Sequence, residues 1–183
     1  MEGGETVEIY RVRVKGTKPL LVHAPVGISD KPTRRRGEHF DPKKEAEQAL
    51  YRNDSGEPCI PAFNVKACLR NAGRNYKVSG RKSTFGAMIL AGIDIRPEMI
   101  KIQSNDGWKI DLRTVVVQRN RIIRARPRFD DWALEFEILN LDPTIIHTET
   151  LQRILEDAGK YCGLGDFRPM FGTFQIEEFE EEK

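Results

Sequence analysis

The chain is poor in cysteine and has neither long apolar runs nor a residue pattern that announces a metal. Its 183 residues include only Cys59, Cys68 and Cys162, scattered and with no CxxC pair. That excludes a disulfide framework and leaves a zinc site without support. No apolar stretch approaches the ~20 residues that a membrane-crossing helix needs. The opening Met1-Glu2-Gly3-Gly4-Glu5 lacks the charged-then-apolar pattern of a secretory leader. A reducing cytoplasm is the expected compartment. No solenoid-period repeat is visible, and no cofactor or metal is expected.

Net charge is small, +2 with histidine neutral, but the two signs are segregated. Acid collects in Glu177-Glu178-Phe179-Glu180-Glu181-Glu182. The rest is basic, with arginine in clusters: Arg34-Arg35-Arg36, Arg70 with Arg74, and Arg119, Arg121, Arg124, Arg126 and Arg128. Clusters of this kind are the electrostatic footprint of nucleic-acid binding, although any single one also fits a solvated surface.

Apolar periodicity predicts the elements. Val7 to Val14 reads as a strand ended by Gly16, and Pro19 to His23 as a short extended segment. Residues 27–40 carry no periodicity and read as a long exposed loop. A short helix follows, with Asp41 as cap and Pro42 in its first turn. In a helix over 61–77, Ala62, Val65, Leu69 and Ala72 share one face, while Lys66, Arg70 and Arg74 recur every fourth residue on another. With Lys77, Arg81 and Lys82 following, nothing acidic interrupts the stretch before Ile93. Residues 99–102 read as a strand, and Asn105-Asp106-Gly107 as a hairpin turn. Residues 109–118 and 121–128 read as two strands around Arg119-Asn120, with Arg124, Arg126 and Arg128 on one face. Residues 132–138 alternate as a half-buried strand, with Trp132 and Phe136 read as core. Thr148 caps a helix to 162, and Phe174, Ile176 and Phe179 mark a last strand.

Between that helix and that strand runs Gly163-Leu164-Gly165-Asp166-Phe167-Arg168-Pro169-Met170-Phe171-Gly172. Its glycines reach backbone angles that other residues resist, and successive N–H groups of such a loop can cup an anion. Arg168 offers a cationic fork and Phe167 a stacking surface. The competing reading is a loop whose glycines only turn the chain.

Without its inserts the chain reads strand, helix, strand, strand, helix, strand. That is the βαββαβ order of the α+β ferredoxin-like fold, which includes RNA-recognition modules. One domain over 1–183 is expected, with a basic loop and short helix (27–53) and a β-hairpin (108–128) inserted. An arginine-lined groove with two such fingers suits a single strand better than a duplex.

The glycine-rich loop after an amphipathic helix resembles the C-terminal glycine-rich loop of the RAMP superfamily of CRISPR-associated RNA-binding proteins. Ile60-Pro61-Ala62-Phe63-Asn64-Val65-Lys66-Ala67-Cys68-Leu69-Arg70 is similar to the start of the first helix in those proteins, with Ala62-Phe63-Asn64 where Gly-Ser-Ser is usual. The similarity is best to the backbone subunits. It implies an RNA-recognition-like palm, a hairpin thumb and polymerisation along guide RNA, in an effector complex or in a free-standing phage or mobile-element relative.

The expected function is therefore non-catalytic binding of single-stranded RNA, or single-stranded DNA, with self-assembly head-to-tail along the strand through the acidic tail. Phosphate contacts are expected from Arg34, Arg35, Arg36, Lys66, Arg70, Arg74, Lys77, Arg81, Lys82, Arg119, Arg121, Arg124, Arg126, Arg128 and Arg168, with Gly163, Gly165 and Phe167 against the strand. Two rivals stand beside it. One is a metal-independent endoribonuclease, as the resemblance implies, with His23 or His39 as general acid or base. The other is an adaptor whose basic surface meets an acidic protein.

Overall fold

A computed structural model describes residues 7–25, 40–117 and 119–182. The largest sheet joins four strands: β1 (Glu8–Gly16), β5 (Ile93–Arg96), β9 (Ala133–Asn140) and β10 (Phe174–Glu182), in the order β10-β1-β9-β5 with every pair antiparallel. Strand alternation sorts its side chains. Tyr10, Val12 and Val14 of β1, with Leu134, Phe136 and Ile138 of β9, are buried toward α2 (Ala62–Gly73) and α4 (Thr148–Asp157). From α4, Leu151, Ile154 and Leu155 are fully buried, each contributing about 2 kcal/mol by leaving water.

On the opposite face of β1, Arg11, Arg13 and Lys15 meet acid. Arg11 pairs with Glu182, Arg13 with Glu177 and Glu135, and Lys15 with Asp131. The acidic end of the chain is therefore the edge strand of its own sheet, the strand that Phe174, Ile176 and Phe179 mark in the sequence. A bulge between Arg13 and Val14 gives β10 one extra residue and brings Glu177 within 2.9 Å of Arg13 Nε.

The second strand of this sheet differs from the expected one. Met99–Lys101 is β6, which pairs with β4 (Pro58–Pro61) and through it with β3 (Tyr51–Arg52) in a separate sheet. Its place is taken by β5, where Ile93 and Ile95 face the core. The Asn105-Asp106-Gly107 turn consequently closes no hairpin between 99–102 and 109. Also unforeseen is α3 (Phe85–Gly92), apolar nearly all round and so without a helical stripe. It crosses α2 at two glycines: a Cβ on Gly73 would stand 2.6 Å from Ile89, and one on Gly86 2.9 Å from the Arg70 carbonyl.

The inserted hairpin is β7 (Lys109–Val117) and β8 (Asn120–Phe129), turning through Arg119 at φ 68° and extended by β2 (Leu20–Leu21). Helix α1 (Pro42–Gln48) packs on it, capped by Asp41, which accepts from the Lys43 and Lys44 N–H groups. Thr148 is the first residue of α4 and not its cap; its hydroxyl bonds the Tyr10 hydroxyl at 2.8 Å. After α4 the helix widens into a π-helical turn, Ala158–Cys162, and stops at Gly163 with φ 72°. Trp132 is fully buried and donates from Nε1 to the Lys18 carbonyl at 2.8 Å.

Candidate nucleic-acid interface

The glycine-rich loop folds back on itself and on β2. Leu164 N–H bonds the Gly172 carbonyl, Asp166 N–H the Leu21 carbonyl and Gly172 N–H the Pro19 carbonyl, each at 2.8 Å. Phe171 N–H bonds the Phe167 carbonyl, and Phe167 N–H the Asp166 carboxylate. The loop is thus not a nest of open N–H groups, because its own carbonyls, the Asp166 carboxylate, the β2 flank and the Ala158 carbonyl together take most of them. The glycines serve close approach. Gly165 (φ +71°) would place a Cβ 2.2 Å from the Leu21 carbonyl oxygen, and Gly172 (φ +73°) one 1.9 Å from that of Leu164. What the loop presents outward is its tip: Phe167 in a left-handed conformation (φ 58°), Arg168 and Met170, all exposed.

Above that tip lies one face of the hairpin. Alternation puts Arg124, Arg126 and Arg128 on it, as the sequence predicts, and pairing adds their partners on β7, Arg113, Asp111 and Lys109. The guanidinium carbons of Arg113 and Arg126 stand 5.7 and 5.3 Å from the Phe167 ring centroid, and those of Arg113 and Arg128 stand 4.5 and 6.0 Å from that of Phe171. Such cation–π contacts hold planar cations against aromatic faces.

The cations are not bare. Arg126 pairs with Asp166 at 2.8 Å, Arg113 with Asp111 at 2.6 and 3.1 Å, Arg128 with Asp130 at 2.6 Å, and Arg124 with Glu45 at 3.4 Å. Lys109 also meets Asp130, whose carboxyl is held below its usual range by the hydrogen bonds from Lys109 and Arg128. An incoming phosphate must therefore compete with carboxylates already in place.

Beside the loop opens a cleft of about 390 Å³, lined by Val22, His23, Tyr51, Ile60, Asn64, Arg126, Gly165 and Asp166. Arg126 Nε–H points between His23 Nδ1 (3.1 Å) and Asp166 (2.8 Å). His23 Nδ1 accepts there, so its neutral ring carries the proton on Nε2. Burial, and then the neighbouring Arg126, push the His23 pKa below its ordinary value and favour that neutral form. Arg126 itself is 7% exposed, and its buried Nη1 has no hydrogen-bond partner.

The helix stripe is distributed differently. Lys66 lines a second cleft, about 460 Å³, with exposed Phe63 and with Asp94, Arg96 and Glu98. Arg70 and Arg74 lie where α3 crosses, with Arg70 Nε buried and unpartnered, and Arg74 exposed while its Cγ contacts Gly86. Lys77, Arg81 and Lys82 are exposed on the α2–α3 connection, and Arg119 and Arg121 at the hairpin tip. Arg34, Arg35, Arg36 and His39 lie outside the described residues. The sequence reading missed Arg113, Asp111, Phe171, Asn64 and Tyr51. The period-two pattern Lys109, Asp111, Arg113 was the available signal for the first two.

No protein-family model matches the chain, and no curated protein does. Among solved structures, a chain in the cryo-EM structure of the Type III-B Cmr-beta bound to cognate target RNA superposes with a TM-score of 0.63 at 15% identity. The two share a fold. The match covers 97% of this chain and 61% of that one, so the present chain spans about three-fifths of its neighbour's length.

Proposed function

We propose that this chain is a RAMP-like, CRISPR-associated-type protein that binds single-stranded RNA in the cytoplasm, is backbone-subunit-like, and arrays along the strand with itself and with other effector-complex subunits. The ferredoxin-like reading of its palm is supported by the strand order β10-β1-β9-β5 with α2 and α4 on one face. The RNA reading is supported by the shared fold with a chain from a complex bound to target RNA. One observation carries the placement of the site: Phe167, at the exposed loop tip that also bears Arg168 and Met170, lies against the arginine face of the hairpin, next to the His23 cleft. Aromatic and cationic groups side by side are what an unpaired strand needs for stacking and phosphate contact. Arg168, Arg126 and Arg128 hold phosphates in this reading, Phe167 takes a base, and Lys66, Arg70, Arg74 and the hairpin-tip arginines extend the path.

The test is the absorbance at 260 nm of freshly purified protein, followed by separate RNase and DNase digestion. RNase-sensitive co-purifying material is expected. DNase-sensitive material would move the assignment to single-stranded DNA, and absence of nucleic acid at low salt would favour an acidic protein partner. Assembly is tested by particle mass on oligonucleotides of increasing length, which should rise in steps.

A second reading has its own observation. His23 is held by the Arg126 Nε–H, 3.1 Å from its Nδ1, on the wall of a cleft, so a positioned imidazole is present as a general acid or base. Cleavage of labelled RNA in chelator that disappears in His23→Ala would assign a metal-independent endoribonuclease.

A further inference from the structure

Cysteine drops out of the nucleic-acid reading, yet two of the three thiols lie on elements packed against each other, α2 and the π-helical turn. Cys68 is on the inner face of α2, 1% exposed, with Sγ 3.2 Å from the Gly163 carbonyl oxygen and 3.4 Å from that of Ala158. Those carbonyls bracket the π-helical turn that carries Cys162. Cys162 packs against the same core, on a turn in direct contact with α2, and unlike Cys68 it is partly open to solvent. Widened helical turns recur at functional sites.

We propose that Cys162 and Cys68 form a thiol pair oxidised by hydroperoxides, with Cys162 as the attacking sulfur and Cys68 as the resolving one. The Cys162 thiolate attacks the peroxide O–O bond, an S–O bond forms, and hydroxide leaves and is protonated to water. Cys68 sulfur then attacks Cys162 sulfur, the S–S bond forms as the S–O bond breaks, and the second oxygen leaves as water with the Cys68 proton. Two thiols and one hydrogen peroxide become one disulfide and two waters, the two electrons passing from sulfur to oxygen.

The roles follow from the surroundings. The hydrogen bond from Cys68, and then the Arg168 guanidinium, bring the Cys162 thiol down to about 7, against burial and the opposing charge of Asp157. Cys68 moves the other way, raised by the hydrogen bond to Cys162 and by burial, so it keeps its proton until a sulfenic acid forms beside it. A thiolate next to a cation is the reactive form, and a neighbouring thiol diverts its sulfenic acid to a disulfide. Cys59 has no such partner, and burial raises its thiol. The bond formed would bolt α2 to the residue that precedes Gly163, and so fix the root of the glycine-rich loop.

The experiment treats the intact protein with one equivalent of hydrogen peroxide, blocks the remaining thiols by alkylation, digests it and maps peptides by mass. A Cys68–Cys162 cross-linked peptide lighter by two hydrogens is expected, with Cys59 recovered alkylated. The oxidised protein should melt higher, on the order of 10 °C, because the closed loop spans about half the chain. In Cys68→Ser, a dimedone adduct should accumulate on Cys162 with no cross-link, and in Cys162→Ser neither product should form. Alkylation of Cys162 in the untreated protein should reach half its maximal rate near pH 7. Cross-links that include Cys59, oxidation of Cys68 in Cys162→Ser, or no product after excess peroxide would each overturn the proposal. None of these readouts involves nucleic acid.

Discussion

Arg126 Nε donates to the Asp166 carboxylate at 2.8 Å, a bond that joins the hairpin insert to the glycine-rich loop. The arginine side chain is 9% exposed and the aspartate 36%, so the pair is closed on one side and wet on the other. It fixes the mutual position of two elements that the strand β9 and the helix α4 separate in the chain.

Removing the carboxylate charge tests that pairing. Asp166→Asn leaves a buried guanidinium without its counter-charge, which typically costs about 1–3 kcal/mol for a partner still reached by water. The melting temperature should fall by about 5 °C. The same change removes a competitor for phosphate, so RNA affinity at a temperature where the protein is folded should rise. A fall in affinity equal to that of Arg126→Ala would mean that the carboxylate positions the arginine and does not compete with RNA.

Gly165 should behave as a packing position. Its φ of +71° and the Leu21 carbonyl, 2.2 Å from a would-be Cβ, leave no room for a side chain. Gly165→Val combines a left-handed backbone penalty with overpacking, together about 3 kcal/mol of lost stability. Urea unfolding should show this loss, and the residual folded protein should bind RNA about as well as wild type. Unchanged stability with lost binding would instead make the glycine a contact to the strand.

Folding stability should depend on pH through His23. Its folded pKa lies below the ordinary value of 6.5, burial being the main cause, so the unfolded state binds the proton more readily. Stability is therefore fully present above about pH 7 and declines as pH falls through 6.5 toward the folded pKa. Urea midpoints between about pH 5 and pH 6.5 should slope upward in wild type and flatten in His23→Gln. Cys162 acts in a higher window: its lowered thiol pKa adds stability only above about 7. An equal slope in both proteins would place the titration elsewhere.

How far the sequence reached depended on the kind of signal. Long alternating or amphipathic stretches were legible: β1, β9 and α4 stand close to where period placed them, and the hairpin strands fall within a residue or two of their expected ends. Two short pieces were not. Ile93-Asp94-Ile95-Arg96 is too brief for alternation to register, and Phe85–Gly92 is too uniformly apolar to show a helical face, so the palm's second strand was sought at 99–102. At the candidate site, the arginine face followed from period two. Its neutralisation did not, because Asp166 and Glu45 reach Arg126 and Arg124 from other elements, a fact of tertiary packing, and only Asp130 beside Arg128 is a neighbour in sequence. The loop glycines were visible as special, but only the nearby Leu21 and Leu164 carbonyls reveal that they serve close packing.

The helix stripe gives the sharpest electrostatic prediction. Each phosphate neutralised on a single strand adds about 0.7 to the log–log salt slope of binding, through release of condensed counterions. Lys66 and Arg74 are the stripe positions whose substitution disturbs the interior least, since Arg70 has its Nε buried beside α3. If both hold phosphates, Lys66→Ala with Arg74→Ala should flatten the slope by about 1.4 and weaken binding to all sequences alike. Adding Arg70→Ala should bring the change to about 2, with a separate loss of thermal stability from the vacated interior. The measurement is fluorescence anisotropy of a labelled single-stranded RNA at several salt concentrations, wild type beside the variants. Lys66 shares its cleft with Asp94 and Glu98, so a solvated, locally paired lysine predicts no change at all. Parallel lines would remove this helix from the interface and leave the strand to the loop tip and the hairpin arginines.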